Sequence, residues 1–543
     1  MSNDPIINNS DQQDLDLQPS DVQLENNQEG KRAGYQSSNQ RIAKNTLLLY
    51  LRMIVMMLIG LYTSRVILQV LGVKDYGLYN AVGGVVTMLT VLTSALTTAI
   101  NRYLTFELGK GDIEKLKRVF STSLNVLVIL AIIIVLIGFL LGGWFLHHKM
   151  NIPAGRMDAA NWVLYCTLLS FAVGLINIPY NSSIISHERM NVFAYMTILD
   201  VTLKLLIVYA LYFSPFDKLK TYAVLALMVA VFIRFIYATY CKKNFQECTY
   251  QLTIDKPLLK EMTGFVGWNF LGNSAWIFNN QGVNILINIY FGVTLNAARG
   301  IASQVEGLAM SFVNNFMTAL LPQITKSYAA GELSQMHQLV CRGAKFSFFL
   351  VLFFAIPICF ETNHILYLWL GKVPDYAVIF VRMTFLSTLC TVLGYTLVTA
   401  QLATGNIKKY QIVMTLCGLW VFPLTWLAYK LGGDAVWAYI IFFITYFVLI
   451  FVRIYLVKDL IHMPWILYIK DVLLICAKVL LLAVIPPLAI YLLIPSSLLR
   501  LFLLCIVSFL SSGLVMCWVG LRTEERQMVN GLAVKFIAKL KRK

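Results

Sequence analysis

The sequence predicts an all-α polytopic membrane protein. About fourteen transmembrane helices form two six-helix lobes, related by a pseudo-two-fold axis along the membrane normal, with two extra C-terminal helices. Three observations carry this expectation. The 543 residues are 58% hydrophobic and only 13% charged, with mean hydropathy +0.70, which exceeds what a single soluble core requires. Fourteen apolar segments are each long enough to cross a bilayer, since about 20 residues suffice. The second half of the chain also repeats the first.

The apolar segments run over 45–71, 76–107, 120–146, 160–186, 191–214, 221–240, 264–291, 296–322, 346–370, 377–402, 410–431, 435–456, 466–494 and 498–520. Six of them make an N-lobe over 41–241 and six a C-lobe over 264–457, joined by a basic linker over 242–263. Residues 458–520 hold helices 13 and 14, and 521–543 form a basic tail expected to rest on anionic lipid. Residues 1–40 are acidic and rich in Asn and Gln, with no Lys or Arg before Lys31. They read as a disordered cytoplasmic tail, not a secretory signal.

Loop charge orients the chain. One set of loops holds most of the Lys and Arg, including Lys110, Lys115, Lys117, Arg118, Lys242, Lys243, Lys408, Lys409 and the tail from Arg522. The opposite loops hold Lys74, Lys149, Arg156, Lys218, Lys220 and Lys372. Positive residues stay cytoplasmic, so both termini are expected on the cytoplasmic side of the membrane. The net charge of +17 is then mostly a topology signal, and no nucleic-acid partner is expected.

The repeat appears at a shift of 220 residues. Leu71-Gly72-Val73 falls on Phe291-Gly292-Val293, and Gly111-Asp112 on Gly331-Glu332. At a shift of 218, Met196-Thr197 falls on Met414-Thr415. An even number of helices per unit leaves both copies in the same orientation, with substrate between them near mid-membrane. Pro179, Pro357, Pro423, Pro486 and Pro487 lie inside spans, where each removes a hydrogen bond and favours a kink.

The most informative stretch is Trp268 to Asn315. Asn269, Asn273, Asn280 and Asn284 stand at spacings of 4, 7 and 4, one stripe on a helix. Arg299, Ser303, Glu306 and Asn314 make a second stripe on the next helix. Polar groups at membrane depth are costly and face a bundle interior or a wet cavity. Asn is also interhelical glue, the alternative reading of the first stripe.

Further intramembrane charges are Arg52, Arg65, Arg102, Asp200, Lys204, Arg234, Arg382 and Lys478. Arginine dominates, and guanidinium binds phosphate oxygens bidentately. The candidate cavity residues are Arg52, Arg65, Arg102, Asn273, Asn280, Asn284, Arg299, Glu306 and Arg382. Arg65, Arg102, Arg299 and Arg382 lie near helix ends, where snorkelling to head groups is the competing reading. Asp200 and Glu306 are the acidic candidates for ion coupling, although Asp200 and Lys204, at i and i+4, also read as a self-neutralising pair. Glu306 sits two turns, about 10 Å, from Arg299, too far for direct pairing.

Several classes fall away. No G-x-x-x-x-G-K-[ST] sequence exists, so the driving force is an ion gradient, the membrane potential or the substrate gradient. The ten cysteines, including Cys166, Cys359, Cys390, Cys476 and Cys505, are scattered singly in apolar runs and read as buried free thiols. His147, His148 and the other histidines form no metal-like group, and no cofactor or metal is expected. Short loops argue against an enzyme.

Certain motifs resemble a known family. The run from Ser64 to Tyr79, Ser-Arg-Val-Ile-Leu-Gln-Val-Leu-Gly-Val-Lys-Asp-Tyr-Gly-Leu-Tyr, is similar to the opening of the polysaccharide-type (O-antigen, oligosaccharide-lipid) flippases. So are Asn101-Arg102-Tyr103-Leu104, Gly109-Lys110-Gly111-Asp112 and the loop from Ala403 to Gln411. These flippases belong to the multidrug, oligosaccharidyl-lipid and polysaccharide (MOP) exporter superfamily. The resemblance implies a V of two six-helix lobes working by alternating access. It implies movement of a polyprenyl-pyrophosphate-linked oligosaccharide to the outer leaflet, with the prenyl tail in membrane lipid and glycan polymerases or ligases as partners. By motif, only Arg65, Gly72, Tyr76, Gly77 and Arg102 carry over. The alternatives are a cation-coupled multidrug exporter of the same superfamily, which needs an acidic cavity residue, and a membrane-embedded glycan polymerase. Because the shift of 220 puts Tyr79 opposite Arg299 and Val86 opposite Glu306, the polar wall belongs to one lobe and reads as its sugar-facing side.

Overall fold

The computed structural model describes residues 41–526 except 61, 64–65, 68, 73–74, 76–77, 80–81, 83–88, 150–151, 153–154, 252–254, 372 and 523–524. Segment 1–40, the basic run Lys535 to Lys543, and Arg65, Lys74, Tyr76, Gly77, Val86 and Lys372 lie outside the described residues. Every regular element described is helical, with no strand among the described residues. That is what a lipid environment demands, because a helix satisfies its own backbone donors and acceptors.

In chain order the long helices are α1 (Arg41–Gly60), α2 (Thr90–Lys110), α3 (Ile113–Lys149), α4 (Met157–Ser186), α5 (Met190–Ala210), α6 (Lys218–Asn244) and α7 (Lys256–Phe291). There follow α8 (Val293–Ala329), α9 (Leu333–Leu370), α10 (Ala377–Thr404), α11 (Lys408–Lys430), α12 (Trp437–Lys458), α13 (Trp465–Leu493) and α14 (Leu498–Gly520). Among the described residues, eleven of these are long and apolar enough to cross a membrane. The other three, α2, α7 and α8, have 21, 36 and 37 residues but too many polar side chains. These three pack on one another, α2 against both α7 and α8.

Two apolar cores organise the packing. One gathers Ile100, Leu104, Phe120, Leu175 and Ile233 from α2, α3, α4 and α6. The other gathers Val313, Phe348, Phe385, Leu397 and Ile454 from α8, α9, α10 and α12, and extends to Cys476 and Val479 of α13. The α13–α14 hairpin therefore packs on the second bundle. The repeat has a backbone signature: Gly72 and Gly292 have φ of 76° and 83°, and Gly111 and Gly331 both have 76°, a region that favours glycine.

Local chemistry sets several helix ends. Asp217 starts α6 by accepting from the backbone N–H groups of Leu219 and Lys220, and Asp255 starts α7 by accepting from Leu258. Ser497 does the same for α14 through Arg500. Of the prolines expected to kink their spans, Pro357 precedes a non-helical turn at Glu361 (φ −106°, ψ 29°) in α9. Before Pro423, α11 breaks at Trp420. Pro179, Pro486 and Pro487 sit inside uninterrupted helices.

The tail from Arg522, expected to rest on lipid, is docked to the bundle at its start. Glu525, 4% exposed, pairs with Arg342 and Lys345 of α9 at 2.9 Å each, and Arg522 pairs with Asp471 of α13. All ten cysteines are free, and no group of His, Cys, Asp or Glu with metal-binding geometry occurs among the described residues.

Candidate functional site

The seam between the bundles is built from α1, α2, α7 and α8. Arg52 lies eleven residues into α1, about 17 Å along the helix. Its Nη2 donates to Asn315 Oδ1 of α8 at 2.9 Å, and its guanidinium stands 4.6 Å from the Phe193 ring of α5. Nε is buried without a partner, and no carboxylate pairs with Arg52 among the described residues. Asn315 holds this position by donating to Ser311 O at 2.7 Å and to the Met53 sulfur at 3.3 Å. Helical spacing selects the exposed Asn314 for the stripe on α8. The residue that reaches Arg52 is its buried neighbour, because α1 packs on the adjacent face.

The asparagine stripe of α7 divides between two neighbours. Asn269 is buried, and Asn273 donates to Ser94 Oγ of α2 at 3.5 Å. Asn280 receives Arg299 through both its carbonyl oxygen (3.3 Å) and Oδ1 (3.4 Å), and Asn284 donates to Gln281 on its own helix. Asn279, off the stripe, donates to Gly418 O of α11 at 2.8 Å.

Arg299 is buried between the Tyr439 and Phe442 rings of α12, at 5.8 and 5.6 Å. Glu306 makes no ion pair with Arg299 and instead accepts from Thr388 Oγ1 of α10 at 2.7 Å. A further charge of this lobe escaped the sequence reading. Arg453, near the end of α12, lies against Gly394, where a Cβ would stand 2.0 Å from its Nη1. The break of α10 at Gly394, a glycine inside an apolar run, was the available signal.

The first bundle holds an open-sided cavity of about 360 Å³, lined by Ser170, Asn177, Thr197, Asp200, Lys204 and Tyr237 among others. Lys204 Nζ donates to Asp200 Oδ2 at 2.8 Å, so the acid carries its counter-ion on its own helix.

Arg102 and Arg382 sit apart from these groups. Arg102, 6% exposed, donates from Nη2 to Ala403 O at the end of α10 (3.2 Å) and packs on the Tyr103 and Phe106 rings. It ties α2 to the second bundle. Arg382 donates to Thr362 Oγ1 and Phe360 O, both at 3.4 Å, beside the kink of α9. There the sequence reading missed a buried network. Glu361, 1% exposed, accepts from Arg500 Nε (2.5 Å) and Nη2 (3.3 Å) and faces His364 Nδ1 at 2.7 Å. Its signal was a Glu and a His three apart, following Pro357 in an apolar span.

No family model matches the chain. Among curated proteins, the uncharacterized membrane protein EpsK of Bacillus subtilis is 18% identical over 324 residues, 59% of this chain and 63% of that protein. The chain thus spans less than two thirds of the length of that relative. Solved transporter structures share the fold. A MATE structure in the bent conformation is 15% identical with TM-score 0.68, covering 78% of this chain and 96% of that one. An outward-facing multidrug resistance MATE family transporter of the MOP superfamily gives 15%, 0.67, 78% and 96%. A MOP superfamily transporter from Pyrococcus furiosus, described as having a binding pocket of reverse polarity, gives 14%, 0.67, 78% and 96%. This multi-pass helical chain therefore has the fold of MOP superfamily transporters.

Proposed function

We propose that the chain is a transporter that moves a polyprenyl-pyrophosphate-linked oligosaccharide from the cytoplasmic to the outer leaflet of a bacterial cytoplasmic membrane. The observation that carries this reading is the balance of charge. Arg52 stands between the bundles with an amide as its partner and no carboxylate among the described residues, while Asp200 is neutralised by Lys204 and Glu306 accepts from Thr388 in the second bundle. A seam with an uncompensated guanidinium attracts an anion such as pyrophosphate and repels a cation. Pocket polarity is also the property singled out for the Pyrococcus furiosus transporter of the same fold. Arg299, held by Asn280, and the α7 amides offer hydrogen bonds suited to sugar hydroxyls.

A cation-coupled multidrug exporter is the second reading. The cavity of the first bundle, with Asp200 in its wall, favours it, as does the multidrug transporter among the similar folds. Purified full-length protein in liposomes separates the two. We expect a fluorescent polyprenyl-pyrophosphate oligosaccharide to cross, and Arg52→Ala and Arg299→Ala to stop it. In cells the same variants should lose surface glycan at unchanged protein level. Normal glycan in both variants, or gradient-driven efflux of a cationic dye by the wild type, overturns the reading.

A further inference from the structure

One residue of the seam is strained. Glu188, in the turn between α4 and α5, has φ 58°, a left-handed conformation that costs a side-chain-bearing residue on the order of 1 kcal/mol. The corresponding turn of the second bundle, between α10 and α11, takes its left-handed residue one position earlier, at Gly405 with φ 77°, the shift of 218 setting Asn406 opposite Glu188. Both turns close the same way: Glu188 N–H donates to Ile185 O at 2.9 Å and Gly405 N–H to Leu402 O at 3.1 Å. The first bundle thus makes its left-handed turn at a glutamate, and the second makes its own at a glycine.

The Glu188 side chain reaches across to the other bundle. It accepts from Lys326 Nζ of α8 at 2.7 Å and from Gln323 Nε2, and its carbonyl oxygen accepts from Asn45 Nδ2 of α1 at 3.4 Å. The carboxylate is only 8% exposed. The mirror contact exists too. Arg102 of α2, the copy of α8, reaches the α10–α11 turn, bonding Ala403 O and leaving at Gly405 no room for a Cβ. Between these two ties the helices nearly touch: a Cβ at Gly109 of α2 would lie 3.0 Å from Lys326 Cα and from Ala329 Cβ of α8. An apolar patch of Leu49, Ile185, Met190 and Ala319 backs the Glu188 side.

We propose that Glu188 is the lock of a gate at the basic end of the molecule, whose release lets the two bundles separate there. Each bundle clasps the helix-4-type turn of the other with its second helix, so rocking the bundles apart breaks both clasps together. The Arg102 side bonds a backbone carbonyl and is fixed by geometry, whereas the Glu188 side is an ion pair that charge and cargo can compete for. The inference goes beyond the proposed function and holds for either cargo.

The test is hydrogen–deuterium exchange of the full-length protein in lipid nanodiscs, with no cargo needed. Glu188→Gly removes the carboxylate while suiting the left-handed turn. We expect exchange in 323–330 and 105–110 to quicken on the order of ten-fold, as for loss of a charged hydrogen bond, with 437–458 unchanged. Glu188→Lys should do the same, and adding Lys326→Glu to it should restore slow exchange. Unchanged exchange in both single variants, acceleration that spreads equally to 437–458, or failure of the charge-reversed pair to restore protection overturns the lock.

Discussion

Asp217 shows what one carboxylate does at a helix start facing water. Burial raises its pKa, but hydrogen bonds from the Lys220 backbone and from Arg156 outweigh that and hold it below the ordinary carboxylate value. Arg156 also pairs with Asp75, so the segment between α1 and α2 and the starts of α4 and α6 share one cation. A depressed folded pKa means the stabilisation is complete above the unfolded value of about 3.9 and is lost as pH falls through the folded one. Exchange of the first-turn amides of α6, corrected for intrinsic rates, should therefore accelerate only below about pH 4. Asp217→Asn, which keeps the cap but not the charge, should remove that pH dependence; an unchanged profile in the variant would show that another group titrates. This pair was invisible in the sequence, where Arg156 and Lys218 count only as sparse outer-loop charges. Partners 61 residues apart carry no local signal.

Helices were more legible than their partners. The apolar spans and the glycines at their ends give the fourteen helices, because lipid forces each segment to satisfy its own backbone. The positive φ at Gly72, Gly111, Gly292 and Gly331 shows why the repeat survived at those positions. What spacing cannot supply is the face a neighbour chooses, hence Asn315 in place of Asn314, and Asn279 beside the stripe. The kink of α9 is such a case. Glu361 is clasped by Arg500 of α14, so the C-terminal hairpin is fastened to the second bundle by a buried ion pair. Arg500→Met strands the carboxylate beside His364 and should destabilise the chain by about 3–5 kcal/mol. The double variant with Glu361→Gln should recover much of that loss. Thermal unfolding of the detergent-solubilised protein reads both, and a double variant as unstable as the single one would mean that packing around Arg500, not charge, is lost.

Across the molecule, charge and polarity sort by position. The helices that lack a long apolar stretch, α2, α7 and α8, pack on one another, and the lysines and arginines gather at one end, where α1 begins and α14 finishes. Lys110, Lys115, Lys117, Lys242, Lys243, Lys408 and Lys409 flank the ends of α2, α3, α6 and α11 on that side. If the positive residues are retained in the cytoplasm, a reporter active only in the cytoplasm should work when fused after Lys543. One active only after export should work when inserted between Ser214 and Phe216, in the α5–α6 connection at the other end. The reverse pattern would invert the transporter. With the basic end inside, the clasps at Glu188 and Arg102 close the cytoplasmic side, so cargo made in the cytoplasm enters only after they part. Under that orientation, a cross-link between Glu188→Cys and Lys326→Cys should stop loading from the cytoplasm, and a reductant should restore it.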